Sequence, residues 1–123
     1  MNEEAERVVA PEYLTCTTVL VDDTTACVVP SGDLTYDNGG LLRDVVVDLI
    51  ATRRPARLHV DCSGLAFCDS FGLSVLLGAR RAADEATTTL LLDNRPPWLD
   101  RLLQRTGTYD HLVTDDVGER RAG

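Results

Sequence analysis

The chain contains no lysine, and all twelve of its basic residues are arginine. Mechanisms that depend on a primary amine are therefore excluded, among them Schiff-base catalysis and the lysine-bearing loop that binds nucleotide phosphates. The arginines are scattered, in pairs such as Arg53-Arg54 and Arg80-Arg81, along a chain whose net charge is −8. Because nucleic-acid binding needs a concentrated basic surface, no direct nucleic-acid partner is expected.

Long apolar runs are also missing. No stretch approaches membrane-spanning length, and the chain begins Met-Asn-Glu-Glu-Ala-Glu, which is acidic where a signal peptide is basic. We therefore expect a cytoplasmic protein with no membrane partner. The cysteines lack any Cys-x-x-Cys spacing, which predicts buried free thiols in a reducing compartment. They are Cys16, Cys27, Cys62 and Cys68.

A metal site would need paired ligands, and the sequence offers only one cluster to consider. His59, Asp61 and Cys62 lie close together. In a strand, however, alternation sends His59 and Asp61 to one face and Cys62 to the other. Without a paired ligand motif, neither a metal site nor a cofactor is expected.

The hydrophobic periodicity predicts one domain of seven elements. With 123 residues, 44% of them hydrophobic, the chain is long enough for one buried core. We assign residues 13–113 to this domain, and residues 1–12 and 114–123 to flexible tails. The predicted strands are 13–21, 24–29, 57–62 and 87–92, with Pro30-Ser31-Gly32-Asp33 ending the second. The predicted helices are 37–50, 71–83 and one from Pro96-Pro97 to Gly107.

This order of elements predicts an α/β fold. The first two strands form an antiparallel hairpin whose turn is Asp22-Asp23. Right-handed strand-helix-strand crossovers then add parallel strands. The expected result is a mixed sheet with helices packed mainly on one face.

The segment 65–73, Leu-Ala-Phe-Cys-Asp-Ser-Phe-Gly-Leu, places one hydroxyl beside a carboxylate where a buried strand gives way to a helix. Apolar residues continue at helical spacing, so Ser70 lies in the first turn or at the cap. Two interpretations follow. Ser70 is a structural N-cap, the usual role of a serine before an apolar helix. Alternatively it is a phosphate acceptor, because unpaired N–H groups and the helix dipole favour negative charge there.

Several parts of the sequence together resemble a STAS domain of the anti-sigma factor antagonist type. They are Gly32-Asp33-Leu34, the helix through Ile50, the strand ending Val60-Asp61-Cys62-Ser63-Gly64, and Asp-Ser-x-Gly-Leu at 69–73. The resemblance covers about residues 13–113, and the last motif is its most specific part. It implies a single STAS-like domain.

The resemblance implies partner switching. An unphosphorylated antagonist of this type binds an anti-sigma factor that is also a serine kinase, and so frees a sigma factor. Phosphorylation ends the binding, and a phosphoserine phosphatase is the other implied partner. In this chain Ser70 is then the phosphoacceptor, Asp69 is its motif neighbour, and Gly72 permits close approach of the partner's backbone. Repulsion between a phosphoserine and Asp69 agrees with this assignment.

The other positions of the implied partner-binding surface are Asp33, Thr35 and Phe71, and two of them depart from the family's pattern. Phe71 stands where relatives commonly have a second Ser or Thr, so Ser70 is the only hydroxyl in the motif. Phe71 is either a core anchor or an exposed aromatic that fills a pocket on the partner. Thr35 stands where relatives usually have an acidic residue, a role open to Asp33 or Asp37.

The protein is not expected to be an enzyme. A serine hydrolase needs a general base, yet the only histidines are His59 and His111, and no Gly-x-Ser-x-Gly elbow is present. A receiver-type phosphoaspartate domain would use a lysine that the chain lacks. An alternative function stays open for the same fold. The chain would be a constitutive STAS-type scaffold or binding subunit that is not controlled by phosphorylation, and Ser70 would only cap its helix.

Overall fold

A computed structural model describes residues 6–9 and 14–113 of the chain. In this part of the chain the strands are β1 (Glu6–Val9), β2 (Leu14–Leu20), β3 (Thr25–Leu34), β4 (Arg57–Asp61), β5 (Leu65–Cys68) and β6 (Thr89–Asp93). The helices are α1 (Gly39–Arg53), α2 (Ser70–Glu85), α3 (Pro97–Arg105) and α4 (Tyr109–Leu112). A short 3-10 turn, Cys62–Gly64, joins β4 to β5.

The strands form one mixed sheet in the order β1-β2-β3-β4-β6, and β5 pairs with β3 beyond the end of β4. The pairs β1–β2 and β2–β3 are antiparallel. The pairs β3–β4, β3–β5 and β4–β6 are parallel. The predicted α/β fold with an antiparallel opening and parallel crossovers is thus confirmed.

The helices cover one face of this sheet. Side chains of Val28, Leu58 and Val60 alternate onto that face and are almost completely buried. Their neighbours Cys27 and His59 point to the opposite face and remain half-buried. Burying a leucine or valine side chain contributes roughly 1.5–3 kcal/mol, so this face supplies much of the stability. Among the residues that the structure describes, every helix is too short or too polar to span a bilayer.

Strand β3 corrects the prediction that Pro30-Ser31-Gly32-Asp33 ends the second strand. β3 continues to Leu34, and Pro30 pairs in register with Cys16 of β2. On its other side, β3 pairs with β4 only as far as Val28 and with β5 only from Gly32. Pro30 lies in the gap between these two ladders, where a proline is tolerated.

Three short elements are not among the seven that the sequence predicted. β1 lies within the segment 1–12 that the sequence analysis assigned to a flexible tail, yet it pairs with β2 from Glu6 to Val9. β5 and α4 have four residues each, too few to show a periodic pattern. The predicted C-terminal tail, 114–123, lies outside the described residues, as do residues 1–5 and 10–13.

The buried thiols lead to a testable prediction. Burial raises the pKa of Cys16 to about 11 and those of Cys62 and Cys68 to about 12. Because the thiolate is the reactive form, a pKa near 12 in place of 9.0 lowers the reactive fraction about a thousandfold near neutral pH. We expect iodoacetamide to modify half-buried Cys27 first and the other three only after unfolding in urea, as measured by mass spectrometry. Native labelling of Cys68 at the rate of Cys27 would contradict this.

Candidate functional site

The candidate site lies at the carboxyl ends of the parallel strands β3 and β5. After β3, residues 35–38 form the loop that leads into α1, and after β5 the chain enters α2 at Asp69 and Ser70. A backbone hydrogen bond joins the two segments, since Asp69 N donates to the Leu34 carbonyl oxygen at 3.2 Å. All six residues predicted for the partner-binding surface therefore lie at one end of the sheet. They are Asp33, Thr35, Asp69, Ser70, Phe71 and Gly72.

Asp69 is the N-cap of α2 and also holds the neighbouring loop. Its Oδ1 accepts a hydrogen bond of 2.8 Å from Gly72 N, which satisfies one of the unpaired amides at the helix start. Its Oδ2 accepts a hydrogen bond of 3.2 Å from Tyr36 N, in the loop after β3. One carboxylate thus joins the start of α2 to the β3–α1 loop.

Ser70 is the first residue of α2 and is exposed. The interpretation of Ser70 as a structural N-cap is therefore wrong, because Asp69 takes that position and makes the capping bond. No hydrogen bond joins the Ser70 hydroxyl to another described residue. The hydroxyl is open to solvent at the end of a helix where the backbone dipole favours negative charge.

Gly72 is required by the fold itself. It is buried, and a Cβ at this position would lie 2.3 Å from the Leu34 carbonyl oxygen and 3.0 Å from Cys68 Sγ. Real Cβ atoms do not approach backbone oxygens so closely. The close approach that this glycine permits is therefore to strand β3 of the same chain. The expectation that Gly72 makes room for a partner's backbone is not supported by this buried position.

The loop after β3 is organised by Thr35 and Asn38. Thr35 N donates to Asn38 Oδ1 at 3.0 Å, and the Thr35 carbonyl accepts from Gly39 N at 2.7 Å. Thr35 therefore closes the turn that begins α1, a task that its backbone performs. Asp33 is half-buried and Asp37 is exposed.

Three aromatic side chains in the segments that meet at the site are exposed, and two of them were not predicted. Phe71, for which the sequence left core and surface roles open, is exposed although its ring packs against Gly39 of α1. Phe67 of β5 and Tyr36 of the loop are also exposed. Sequence periodicity did not reveal Phe67, because β5 buries Leu65 and Cys68 but exposes the two residues between them. Tyr36 lies in a loop, where no periodic pattern exists.

His59 and Asp61, which the sequence analysis considered as metal ligands, are occupied with other partners. His59 Nδ1 lies 2.7 Å from Asp93 Oδ2 across β4 and β6. Asp61 Oδ1 accepts from Ser63 N at 3.0 Å, and that bond holds the pKa of Asp61 below its usual value. The described part of the chain contains no group of three or more His, Cys, Asp or Glu side chains placed to hold a metal ion.

Comparison with protein families gives one match. The family model described as "Mlab, STAS domain" matches residues 19–114, which is more than three quarters of the sequence. The matched region contains β3 to β6, all four helices and the whole candidate site, but only the last two residues of β2 and none of β1. No curated protein matches the sequence.

Solved structures share the fold at low sequence identity. The anti-sigma factor antagonist SpoIIAA in its unphosphorylated form is 19% identical, with a TM-score of 0.68 over 87% of this chain and 95% of that chain. The Bacillus SpoIIAA in its phosphorylated form is also 19% identical, with a TM-score of 0.64 over 88% of this chain and 99% of that chain. An anti-sigma factor antagonist from Mycobacterium paratuberculosis is 23% identical, with a TM-score of 0.68 over 84% of this chain and 86% of that chain. The murine anion transporter Slc26a9 is 17% identical, with a TM-score of 0.65; the match covers 75% of this chain but only 15% of that chain.

Proposed function

The chain belongs to the STAS domain family, and from this membership we propose that it is an anti-sigma factor antagonist controlled by phosphorylation of Ser70. In its unphosphorylated form it binds an anti-sigma factor that is also a serine kinase, and a sigma factor is released. Phosphorylation of Ser70 by that kinase ends the binding. A phosphoserine phosphatase restores the binding form. The chain acts by binding and has no catalytic role of its own.

The observation that carries this proposal is the exposed, unbonded hydroxyl of Ser70 at the first position of α2. Because Asp69 already caps the helix, Ser70 is free of the structural role that a serine usually has at this place. A kinase can therefore reach the hydroxyl without disturbing the cap. The helix dipole also tolerates the added charge, so the phosphorylated chain is expected to remain folded.

Phosphorylation would change the local charge strongly. A phosphoserine adds close to two negative charges and three acceptor oxygens beside the Asp69 carboxylate. At an interface centred on Ser70, these charges would have to be desolvated next to a like charge, which opposes binding. SpoIIAA, which shares this fold, has been solved in both an unphosphorylated and a phosphorylated form.

A constitutive binding subunit of the same fold is the second candidate. It is favoured by Thr35, which occupies the position where relatives usually carry a carboxylate. The same fold also forms part of a much larger anion transporter, the murine Slc26a9. In this candidate function Ser70 is never modified, and binding does not depend on its state.

The test compares two baits, Ser70→Ala and Ser70→Asp, for capture of proteins from an extract of the source organism. The proposal predicts that the alanine bait captures a serine kinase of the anti-sigma factor type. The aspartate bait should bind the purified kinase about tenfold more weakly, which corresponds to roughly 1.4 kcal/mol. The kinase with Mg-ATP should phosphorylate the wild-type chain at Ser70 alone, as mapped by mass spectrometry.

Val21→Asp is the charge control, because Val21 is 58% exposed between β2 and β3, at the opposite end of β3 from the candidate site. It adds the same charge and should bind the kinase like the wild type. All baits must first give folded circular dichroism spectra. Equal affinity of Ser70→Ala and Ser70→Asp would reject the switch and support the constitutive subunit.

A further inference from the structure

The end of the sheet opposite Ser70 contains an open cleft of about 390 Å³. It lies between the turn that joins β2 to β3 and the segment that leads from α1 into β4. We call it the turn cleft. Its volume falls within the roughly 300–1,000 Å³ of small-molecule sites. The turn contributes the carboxylates of Asp22 and Asp23, the end of α1 contributes Thr52 and Arg53, and the buried residues Ala26 and Pro55 add apolar lining.

Hydrogen bonds fix the two segments that form the turn cleft. The Thr24 carbonyl accepts from Ala56 N at 2.8 Å and from Arg57 N at 3.1 Å, so the turn is joined directly to the segment after α1. Within the turn, Asp22 Oδ1 accepts from Thr24 N at 2.8 Å. This bond lowers the pKa of Asp22, so its carboxylate is ionised at neutral pH. The cleft is thus formed before any ligand binds, which reduces the entropic cost of binding.

The end of α1 attracts positive charge. The last carbonyl groups of a helix have no intrahelical donor and lie at the negative end of the helix dipole. In a continuing helix the next donors would be residues 55–57, but Pro55 has no N–H group. The amides of Ala56 and Arg57 both donate to Thr24 instead. Helical donors are therefore missing for the carbonyl oxygens of Ala51, Thr52 and Arg53.

The turn cleft carries charges of both signs that do not neutralise each other. Asp23 lies on the turn, and Arg53 lies in the last turn of α1. Among the residues that the structure describes, neither side chain has an ion-pair partner within 4.0 Å. A molecule in the cleft with charges of both signs could therefore pair with each of them.

We propose that the turn cleft binds a small basic amino acid, which has two ammonium groups and one carboxylate. The ligand carboxylate pairs with the Arg53 guanidinium. Its ammonium groups face Asp22, Asp23 and the last carbonyls of α1. Two carboxylates and the negative end of a helix outweigh one guanidinium, so a ligand of net positive charge is preferred to an acidic one.

This site is separate from the proposed switch. Helix α1 has 15 residues and is therefore about 22 Å long. It begins after the β3–α1 loop, beside Ser70, and ends at the turn cleft. A ligand in the cleft does not touch Ser70, and its binding does not depend on phosphorylation.

The test is a titration of the ¹⁵N-labelled wild-type protein with L-lysine, followed by NMR. We expect saturable chemical-shift changes at the amides of residues 22–25 and 52–56, and none at residues 69–72. Asp23→Asn and Arg53→Gln should each bind L-lysine about tenfold more weakly, because each removes one charged partner. L-glutamate should bind the wild type more weakly than L-lysine does.

Asp37→Asn and Arg105→Gln are the matched controls. Asp37 is an exposed aspartate at the other end of the sheet, and Arg105 is an exposed arginine in the last turn of α3. They remove the same charges as the two test variants and should bind L-lysine like the wild type. Circular dichroism of all four variants shows whether any loss is due to unfolding.

Putrescine separates the two parts of the proposed contact, because it has two ammonium groups and no carboxylate. Asp23→Asn should weaken its binding, whereas Arg53→Gln should not. The proposal would be overturned if L-lysine caused no saturable shifts around the cleft, or if it bound Asp23→Asn as tightly as the wild type. An equal loss of putrescine and L-lysine binding in Arg53→Gln would reject the pairing of the ligand carboxylate with Arg53.

Discussion

Replacement of Gly72 by alanine is expected to lower the free energy of unfolding by about 3 kcal/mol. The added methyl group would lie 2.3 Å from the Leu34 carbonyl oxygen and 3.0 Å from Cys68 Sγ. The carbonyl cannot move away easily, because Leu34 belongs to β3 and is paired there with Cys68 of β5. Either α2 shifts or the end of the sheet is distorted, and both disturb a close-packed region. Urea denaturation followed by circular dichroism measures the loss.

Gly78→Ala is the matched control on the same helix. A Cβ at Gly78 would meet nothing within 4 Å, so alanine adds helix propensity without a clash. We expect this variant to be more stable than the wild type by about 0.5–1 kcal/mol. If Gly72→Ala and Gly78→Ala changed the stability by the same amount and in the same direction, the close contact with Leu34 would have no energetic importance.

The sequence was sufficient to predict the long elements of the fold. Helix α1 could be predicted because Leu42, Val46 and Leu49 recur at helical spacing, and all three are buried. The strands β2, β4 and β6 were predicted to within about two residues for a similar reason, since their apolar residues form short runs between turns. What periodicity cannot show is where one strand meets two different neighbours. Pro30 was predicted to end its strand, because the sequence does not show that β3 has no hydrogen-bonded neighbour on one side between Val28 and Gly32.

Residues 69–73 were singled out from the sequence, but the sequence left the cap of α2 undecided and could not show the internal contact of Gly72. Asp69 and Ser70 are both residues that favour the N-cap, and only the backbone geometry decides between them. In the structure Asp69 has extended backbone angles and Ser70 begins the helix. The role of Gly72 depends on the Leu34 carbonyl, which is distant in sequence and close only after β3 and β5 pair.

The exposure of the aromatic residues was also beyond the reach of sequence patterns. Hydrophobic residues are normally read as core positions, and β5 is too short to show an alternation that would place Phe67 outside. Phe71 follows the helix start, where a residue can face either the neighbouring helix or solvent. Its ring in fact does both, since it packs on Gly39 and remains partly exposed.

Asp69→Ala is expected to lower the free energy of unfolding by about 2 kcal/mol, because one carboxylate makes two bonds that connect separate segments. The first, to Gly72 N, is the helix cap, and the second, to Tyr36 N, holds the β3–α1 loop. Both amides lose their partner in the alanine variant. Hydrogen exchange followed by NMR should therefore show faster exchange at Tyr36 and at Gly72, besides the loss in urea denaturation.

Asp69→Asn separates the two bonds. The asparagine oxygen can still accept from Gly72 N, and asparagine is as good an N-cap as aspartate. Its amide nitrogen, however, is a donor and cannot accept from Tyr36 N. We expect the asparagine variant to lose less stability than the alanine variant, to keep the protection of Gly72, and to lose the protection of Tyr36.

Asp61→Ala is the control for a capping aspartate elsewhere in the fold. Asp61 accepts from Ser63 N at the start of the 3-10 turn and from Asn94 Nδ2 after β6, but it does not bond to the loop after β3. Its loss should reduce stability by about 0.5–1 kcal/mol while leaving the exchange rate of Tyr36 unchanged. If Asp69→Ala also left that rate unchanged, Asp69 would act only as a cap. The β3–α1 loop would then be positioned independently of the helix that carries Ser70.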